Sequence, residues 1–257
     1  MAKQIGNLAF TGSMGNMTFY KSKYGMLVKM KSGVSKERIK NDAAFARTRR
    51  NNNEFGHACK AGKLFRTAFR GISKDVSDGS IVSRLMKEML RAAKADSINE
   101  RGNRNVIDGN LRLLTGFNFN ERVSIRNVFH DGLEFSIDRI AGKLMIGIPS
   151  FKIEGLVKPA NATHMKVISA GAAIDFSEER FDAKEYDSDL IALNNDTVNE
   201  IKITHQLTAN SVHPLFLLLG VKYYSETNGK YEPIRGSQSN ALSIVAVDTV
   251  PDKTPKL

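Results

Sequence analysis

Pro214-Leu215-Phe216-Leu217-Leu218-Leu219-Gly220-Val221 is the most apolar window of the chain. It is far too short to span a bilayer as a helix, and a short unbroken apolar run of this kind suits a buried strand. Its surroundings agree. Leu133-Glu-Phe-Ser-Ile-Asp138 and Leu144-Met-Ile-Gly-Ile148 alternate apolar and polar residues, with Arg139-Ile-Ala-Gly-Lys143 as the turn between them. Further β-like runs are 163–168, 174–176, 200–207 and 241–247. Turn signals at Lys158-Pro159, Asn194-Asn-Asp196, Asn228-Gly229 and Arg235-Gly236 separate them. Asn228-Gly229 between Tyr224 and Tyr231 is a hairpin signal. Short strands at this spacing predict an antiparallel β-sandwich of the Ig/fibronectin-like kind, with Leu215–Val221 as a central strand. The tail Val250-Pro-Asp-Lys-Thr-Pro-Lys-Leu257 cannot be a regular strand.

The first part of the chain differs in character and in charge. Residues 1–112 hold 23 Lys+Arg against 9 Asp+Glu, a net of +14, whereas residues 113–257 hold 15 against 18, a net of −3. A basic half can meet a polyanion or an acidic protein surface. Residues 1–34 are extended and punctuated by Gly6, Gly12, Gly15, Gly25 and Gly33. Met17-Thr-Phe-Tyr20 and Met26-Leu-Val-Lys-Met30 predict a hairpin, which needs a partner surface to be stable. Ser35 with Arg38 starts a short basic turn, and Asp42 is the expected N-cap of the next helix. Phe55, Cys59, Gly62, Phe65 and Phe69 then recur at helical spacing on one face, with Lys60, Lys63, Arg66 and Arg70 opposite. Asn51-Asn-Asn53 marks an expected break. A second helix is expected over about 79–97, with Ile81, Leu85, Met89 and Ala92 or Ala93 inward and Arg84, Lys87, Arg91 and Lys94 outward. The polar stretch 97–112, with Gly102 and Gly109, is the expected boundary. The predicted fold is therefore α+β. An N-terminal β-hairpin and basic helices (residues 1–104) pack on a larger antiparallel β-sandwich (residues 105–257).

An ordered motif series runs through most of the chain. It comprises Gly15-Asn-Met-Thr-Phe-Tyr-Lys21, Gly33-Val-Ser-Lys-Glu-Arg-Ile39, Arg47-Thr-Arg49, Asn53-Glu-Phe-Gly56 and Gly116-Phe-Asn-Phe-Asn120. Ile148-Pro149, Ala162-Thr-His164, Pro214-Leu-Phe-Leu217 and Asn240-Ala-Leu-Ser-Ile-Val245 complete it. The series resembles an uncharacterised bacterial family of about this length. The resemblance implies one recurrent architecture and brings no activity, cofactor or catalytic residue with it.

Chemistry-bearing patterns are sparse. His57, His130, His164, His205 and His213 show no metal-ligand spacing, and His57 and Cys59 point to different sides of a helix. The single cysteine, Cys59, excludes an internal disulfide and sits on the expected apolar stripe, where a thiol behaves as a small hydrophobe. Gly6, Gly12 and Gly15 lack the Gly-Lys-Ser/Thr ending of a P-loop, and no Gly-x-Ser-x-Gly occurs. Asp175, Glu178 and Glu179 lie in a turn-like stretch and are expected to be solvated. No catalytic residue, metal or cofactor is therefore assigned, and the chain is expected not to be an enzyme.

The candidate contact residues are Lys21, Lys23, Lys29, Lys31, Arg47, Arg49, Arg50, Lys60, Lys63, Arg66 and Arg70, with Phe19, Tyr20 and Tyr24 near the first four. The first expectation is a structural or assembly protein that self-associates through its N-terminal arm and basic helices, as a homo-oligomer or within a larger particle. The alternative is nucleic-acid binding by the basic face. The N-terminus lacks the apolar core of a signal peptide, which places the expected location in the cytoplasm or in a particle assembled there.

Overall fold

The glycine-punctuated runs at the start of the chain form a four-stranded antiparallel sheet. Its strands are β1 (Ala2–Lys3), β2 (Gly12–Met14), β3 (Met17–Ser22) and β4 (Gly25–Met30), in the order β1-β4-β3-β2. The expected hairpin is its centre: Ser22 pairs with Gly25 across the Lys23-Tyr24 turn, and Met17 pairs with Met30 at the open end. Gly25 has φ 105°, a backbone state that a side chain would strain. Helix α1 (Lys36–Asn41) follows, its first turn capped by the Ser35 hydroxyl, which accepts from the Arg38 amide at 3.1 Å. Asp42 caps the next short turn by accepting from the Ala44 amide at 2.9 Å.

The computed structural model describes residues 2–6, 9–31, 33–129, 132–194, 197–235 and 240–249. It divides into two units, residues 1–51 and 52–257. The C-terminal tail and His130 lie outside the described residues. The expected boundary at residue 104 falls inside the second unit.

The second unit takes in most of α2 (Ala46–Ala68), then α3 (Arg70–Ser73), α4 (Ile81–Lys94) and α5 (Ile125–Val128). The strands follow as β5 (Glu134–Asp138), β6 (Lys143–Ile148), β7 (Phe151–Lys152), β8 (His164–Asp175), β9 (Arg180–Asp187) and β10 (Ile191–Ala192). The last are β11 (Thr197–Val198), β12 (Ile201–Gln206), β13 (Leu215–Thr227), β14 (Lys230–Pro233) and β15 (Ala241–Asp248). All of the opening apolar window but Pro214 lies within β13, which pairs with β8 on one side and with β15 and β14 on the other. Strands β9 and β10 continue the sheet beyond β8. A three-stranded sheet, β12-β6-β5, lies apart from it in the hydrogen-bonding order, and β7 pairs with β11.

Strand β13 is buried from Leu215 to Tyr223, which is why its run from Leu215 to Val221 shows no apolar–polar alternation; the charged Lys222 is buried near its end. Phe216 and Leu218, with Ile168, Ala170, Ala172 and Ile174 of β8, share one core with Phe65, Phe69, Leu85 and Met89 of the helices. Leu217, Leu219, Val221 and Tyr223 share the other core with Leu144, Ile146 and Ile148 of β6 and Ile203 of β12. The unit is thus layered as helices, central sheet and small sheet, an α+β arrangement of antiparallel strands. Phe65 sits at its centre, 4.9 Å from Phe69 and 5.0 Å edge-on from Phe216 between ring centroids. Burying each such ring contributes about 1.5–3 kcal/mol.

Several local expectations are corrected. Helix α2 runs through Asn51–Asn53 without a break. Its buried face is Glu54, Ala58, Ala61, Phe65 and Ala68; Phe55 is exposed and Cys59 half-buried, so both leave the expected stripe. The small alanines let α2 lie close to its neighbours, and the buried Glu54 carboxylate accepts from the Gly102 amide at 2.7 Å. The runs 163–168 and 174–176 are one strand, β8, because the intervening Ser169-Ala-Gly-Ala-Ala173 is extended and lies between layers. The stretch 97–112 is no linker. The buried Asp96 carboxylate collects the amides of Ile98, Asn99 and Asn105, and Asp108 accepts from the Asn99 and Asn105 side chains.

Two motif segments far apart in the sequence meet at the outer side of β15. Gly116 N donates to Ile244 O at 2.8 Å, Ile244 N to Phe117 O at 3.0 Å and Phe119 N to Leu242 O at 2.8 Å. Residues 116–119 therefore cover an edge that would otherwise be open. Beside them, the buried Asn240 side chain accepts from Tyr223 N and donates to the carbonyls of Asp75 and Ile234. Asn240→Ala orphans these groups and is expected to lower stability by about 2 kcal/mol, measurable by urea denaturation. An unchanged midpoint would contradict this role.

Candidate functional site

The N-terminal sheet sorts its side chains by pairing register. Met14 pairs with Met17 and Met17 with Met30; Gly12 pairs with Phe19, Phe19 with Val28 and Val28 with Ala2. Side chains of paired residues project from the same face. One face therefore carries Met14, Met17, Met30, Phe19 and Val28, and Phe10 stacks edge-on against Phe19 at 6.2 Å. Ser13, Thr18, Tyr20, Ser22, Leu27 and Lys29 alternate onto the other face. The apolar face is open: Met14 is 65 % exposed, Met30 67 % and Phe10 55 %. No described residue of 1–51 is buried.

The structure separates the expected cationic residues. Lys29 lies on the polar face, 5.6 Å from the Tyr20 ring centre, and Lys23 sits in the turn, 5.0 Å from that of Tyr24. Lys21 is on the apolar face, opposite Met26, and Lys31 follows β4; all four are exposed. Arg47 and Arg50 are exposed, but Arg49 is engaged locally, donating to the carbonyls of Ile39 and Asp42 at 2.8 Å each. In the second unit Lys60, Lys63 and Arg70 are exposed and Arg66 half-buried. Among the described residues none of these four forms an ion pair. Arg84, expected on the outer face of α4, is instead half-buried. It donates to Asp78 at 2.8 Å and to the carbonyls of Asn118 and Phe119.

Two polar pairs were not legible in sequence. Ser169 Oγ lies 2.7 Å from His205 Nε2 and 2.8 Å from the carbonyl oxygen of Leu218, with both side chains buried. A hydroxyl donates one hydrogen, and the carbonyl can only accept. Ser169 therefore donates to Leu218, and neutral His205 donates through Nε2. This geometry leaves no hydroxyl proton for the imidazole to abstract, and it joins two layers.

The second pair, Asp175 and His213 at 3.9 Å, lies in a cleft of about 460 Å3 lined by Ile98, Ile107, Leu111, Phe176, Val212 and Pro214, among others. Burial acts to raise the Asp175 carboxyl, but the amides of Glu178 and Ser177, with His213 and Arg180, outweigh it and hold it below the usual carboxylate range. Ile98 is 59 % exposed and Val212 71 %. These residues come from separate loops, so no local pattern announced the cleft. Among the described residues no three His, Cys, Asp or Glu side chains converge as metal ligands, and no helix is long and apolar enough to cross a membrane.

No family model, curated protein or solved structure matches the chain.

Proposed function

We infer that the chain is a structural or assembly protein, without catalytic activity, whose N-terminal sheet docks on a neighbouring surface. One observation carries this. A four-stranded sheet has sorted its residues into an apolar and a polar face, yet no described residue of its unit is buried. A sheet this small does not pay its ordering entropy without a packed face, so the Met14-Met17-Met30 face calls for a partner. The test is light-scattering mass across roughly 50–500 mM salt, a range that shortens the Debye length several-fold. The expected result is a multimer that reverts to monomer when residues 1–33 are deleted. A monomer under all these conditions, unchanged by the deletion, would sink the idea.

A second function is favoured by a separate observation. Lys60, Lys63 and Arg70 stand exposed with no described carboxylate paired to them, as a phosphate-binding face requires. Adding DNA and RNA to the same measurement discriminates. Association that needs nucleic acid, and weakens steeply with salt, would replace the assembly function with this one.

A further inference from the structure

Resting on that assembly function, we propose that the partner is a second copy of this chain, joined head to tail: the N-terminal apolar sheet face of one copy seats on the Ile98–Val212 cleft of the next.

The charge pattern disfavours the simpler symmetric contact. Residues 1–36 contain six lysines and no acidic residue, Glu37 being the first. Two such sheets placed face to face would oppose like charges around a small apolar centre, which is destabilising. The surface that suits this face is apolar and bears carboxylates. The cleft answers on both counts. Ile98, Ile107, Phe176 and Val212 give it apolar walls, and its lining carries the carboxylates Asp108 and Asp175, the latter 3.9 Å from His213, but no lysine or arginine. Methionines suit such a contact, because their flexible, polarizable side chains fill irregular grooves. Lys21 and Lys23 are exposed at the turn end of the sheet, Lys23 over the exposed Tyr24 ring, and bring positive charge to the rim of the contact. The two surfaces differ, so the contact is heterologous. Each copy keeps one free sheet and one free cleft, and assembly proceeds to an open chain or a closed ring.

The experiment blocks each surface separately in the full-length chain. Ile98→Asn with Val212→Asn removes the apolar surface of the cleft at its two most exposed apolar positions without adding a charge, and Met17→Glu with Met30→Glu blocks the sheet face. Circular dichroism confirms that each variant folds. Sedimentation at low salt is expected to show the wild type larger than a dimer and each variant alone as a monomer. An equimolar mixture should form a one-to-one dimer, because one intact sheet then meets one intact cleft. Raising the salt to about 500 mM should weaken that dimer, since screening shortens the reach of the lysine–carboxylate attraction. If the wild type assembles but the mixture stays monomeric, or if the Ile98→Asn/Val212→Asn protein still dimerises through its sheet, the head-to-tail contact is wrong while the assembly function stands. If the wild type is monomeric and binds only phosphatidylserine vesicles, both are overturned.

Discussion

Gly220→Val is expected to destabilise the protein by about 3 kcal/mol or more, the upper range for overpacking a close-packed core. Gly220 lies in β13 between its two longest partners, opposite Ile168 of β8 and Leu242 of β15. A Cβ there would press on the Ala241 carbonyl oxygen and meet Ile168 Cγ1 and Leu242 Cδ1 at 3.0 Å each. The carbonyl is fixed by the strand ladder and cannot retreat. The two side chains occupy the space that glycine leaves, in the core shared with Phe65 and Phe216. For a chain of this size the loss corresponds to a fall in Tm on the order of 10 °C. Gly229→Ala is the control. Its φ is 75° and nothing lies within 4 Å of a Cβ there, so it carries only the left-handed backbone penalty of about 1 kcal/mol. Thermal melts of both variants check the argument. A Gly220→Val melt no lower than that of Gly229→Ala would mean that the strands around β13 do not pack this closely.

The same strand shows how far sequence reasoning reaches. Leu215–Val221 announces itself because both faces of β13 are buried, and Asn228-Gly229 marks the turn after it, with φ 53° and 75°. Leu85, Met89, Ala92 and Ala93 were legible for the same reason: one face of α4 is buried, and the period shows it. Strand β9 was not. Arg180–Asp187 is an edge strand with charged residues on both faces, so neither alternation nor an apolar run distinguishes it from a loop. Ser169–Ala173 was misjudged because its small residues have little strand propensity. They are small because another layer crosses them, and a Cβ on Gly171 would lie 3.0 Å from that of His205. The lysines of the N-terminal arm were visible as charge. That they border an apolar face needed the register of β2, β3 and β4, which tertiary pairing alone supplies. The cleft was beyond reach, since Ile98, Phe176 and Val212 come together only in the folded chain.

Stability should fall by about 3 kcal/mol as the pH is lowered from 6.5 to 4, and His205 is the reason. It is 3 % exposed, and burial moves its pKa from 6.5 down to about 4. The folded-state value is the lower one, so between these limits the unfolded chain binds a proton that the folded chain refuses. Acid therefore favours unfolding through this window, the full contribution is present above pH 6.5, and nothing more is lost from this group below about pH 4. The hydrogen-bond pattern gives the same sign. His205 Nε2 already donates to Ser169, whose own hydrogen goes to Leu218, so a second proton on the ring would be buried without a charge partner. The carboxylates of Asp78, Asp96 and Asp175 act in a different window. In each, burial opposes ionisation, but hydrogen bonds to the charged form outweigh it and hold the pKa below 3.8, so their contribution is lost below about pH 4. Urea denaturation at intervals from pH 4 to 7.5, on the wild type and on His205→Gln, separates the two. A glutamine amide can still donate to Ser169 but does not titrate. The variant is expected to be less stable than the wild type at pH 7.5 and to show a shallower dependence between pH 4 and 6.5, so that the two curves converge as the pH falls. Parallel curves would mean that the imidazole is solvated enough to take its proton in the folded state, and that the Ser169–His205 contact does not seal the two layers from water.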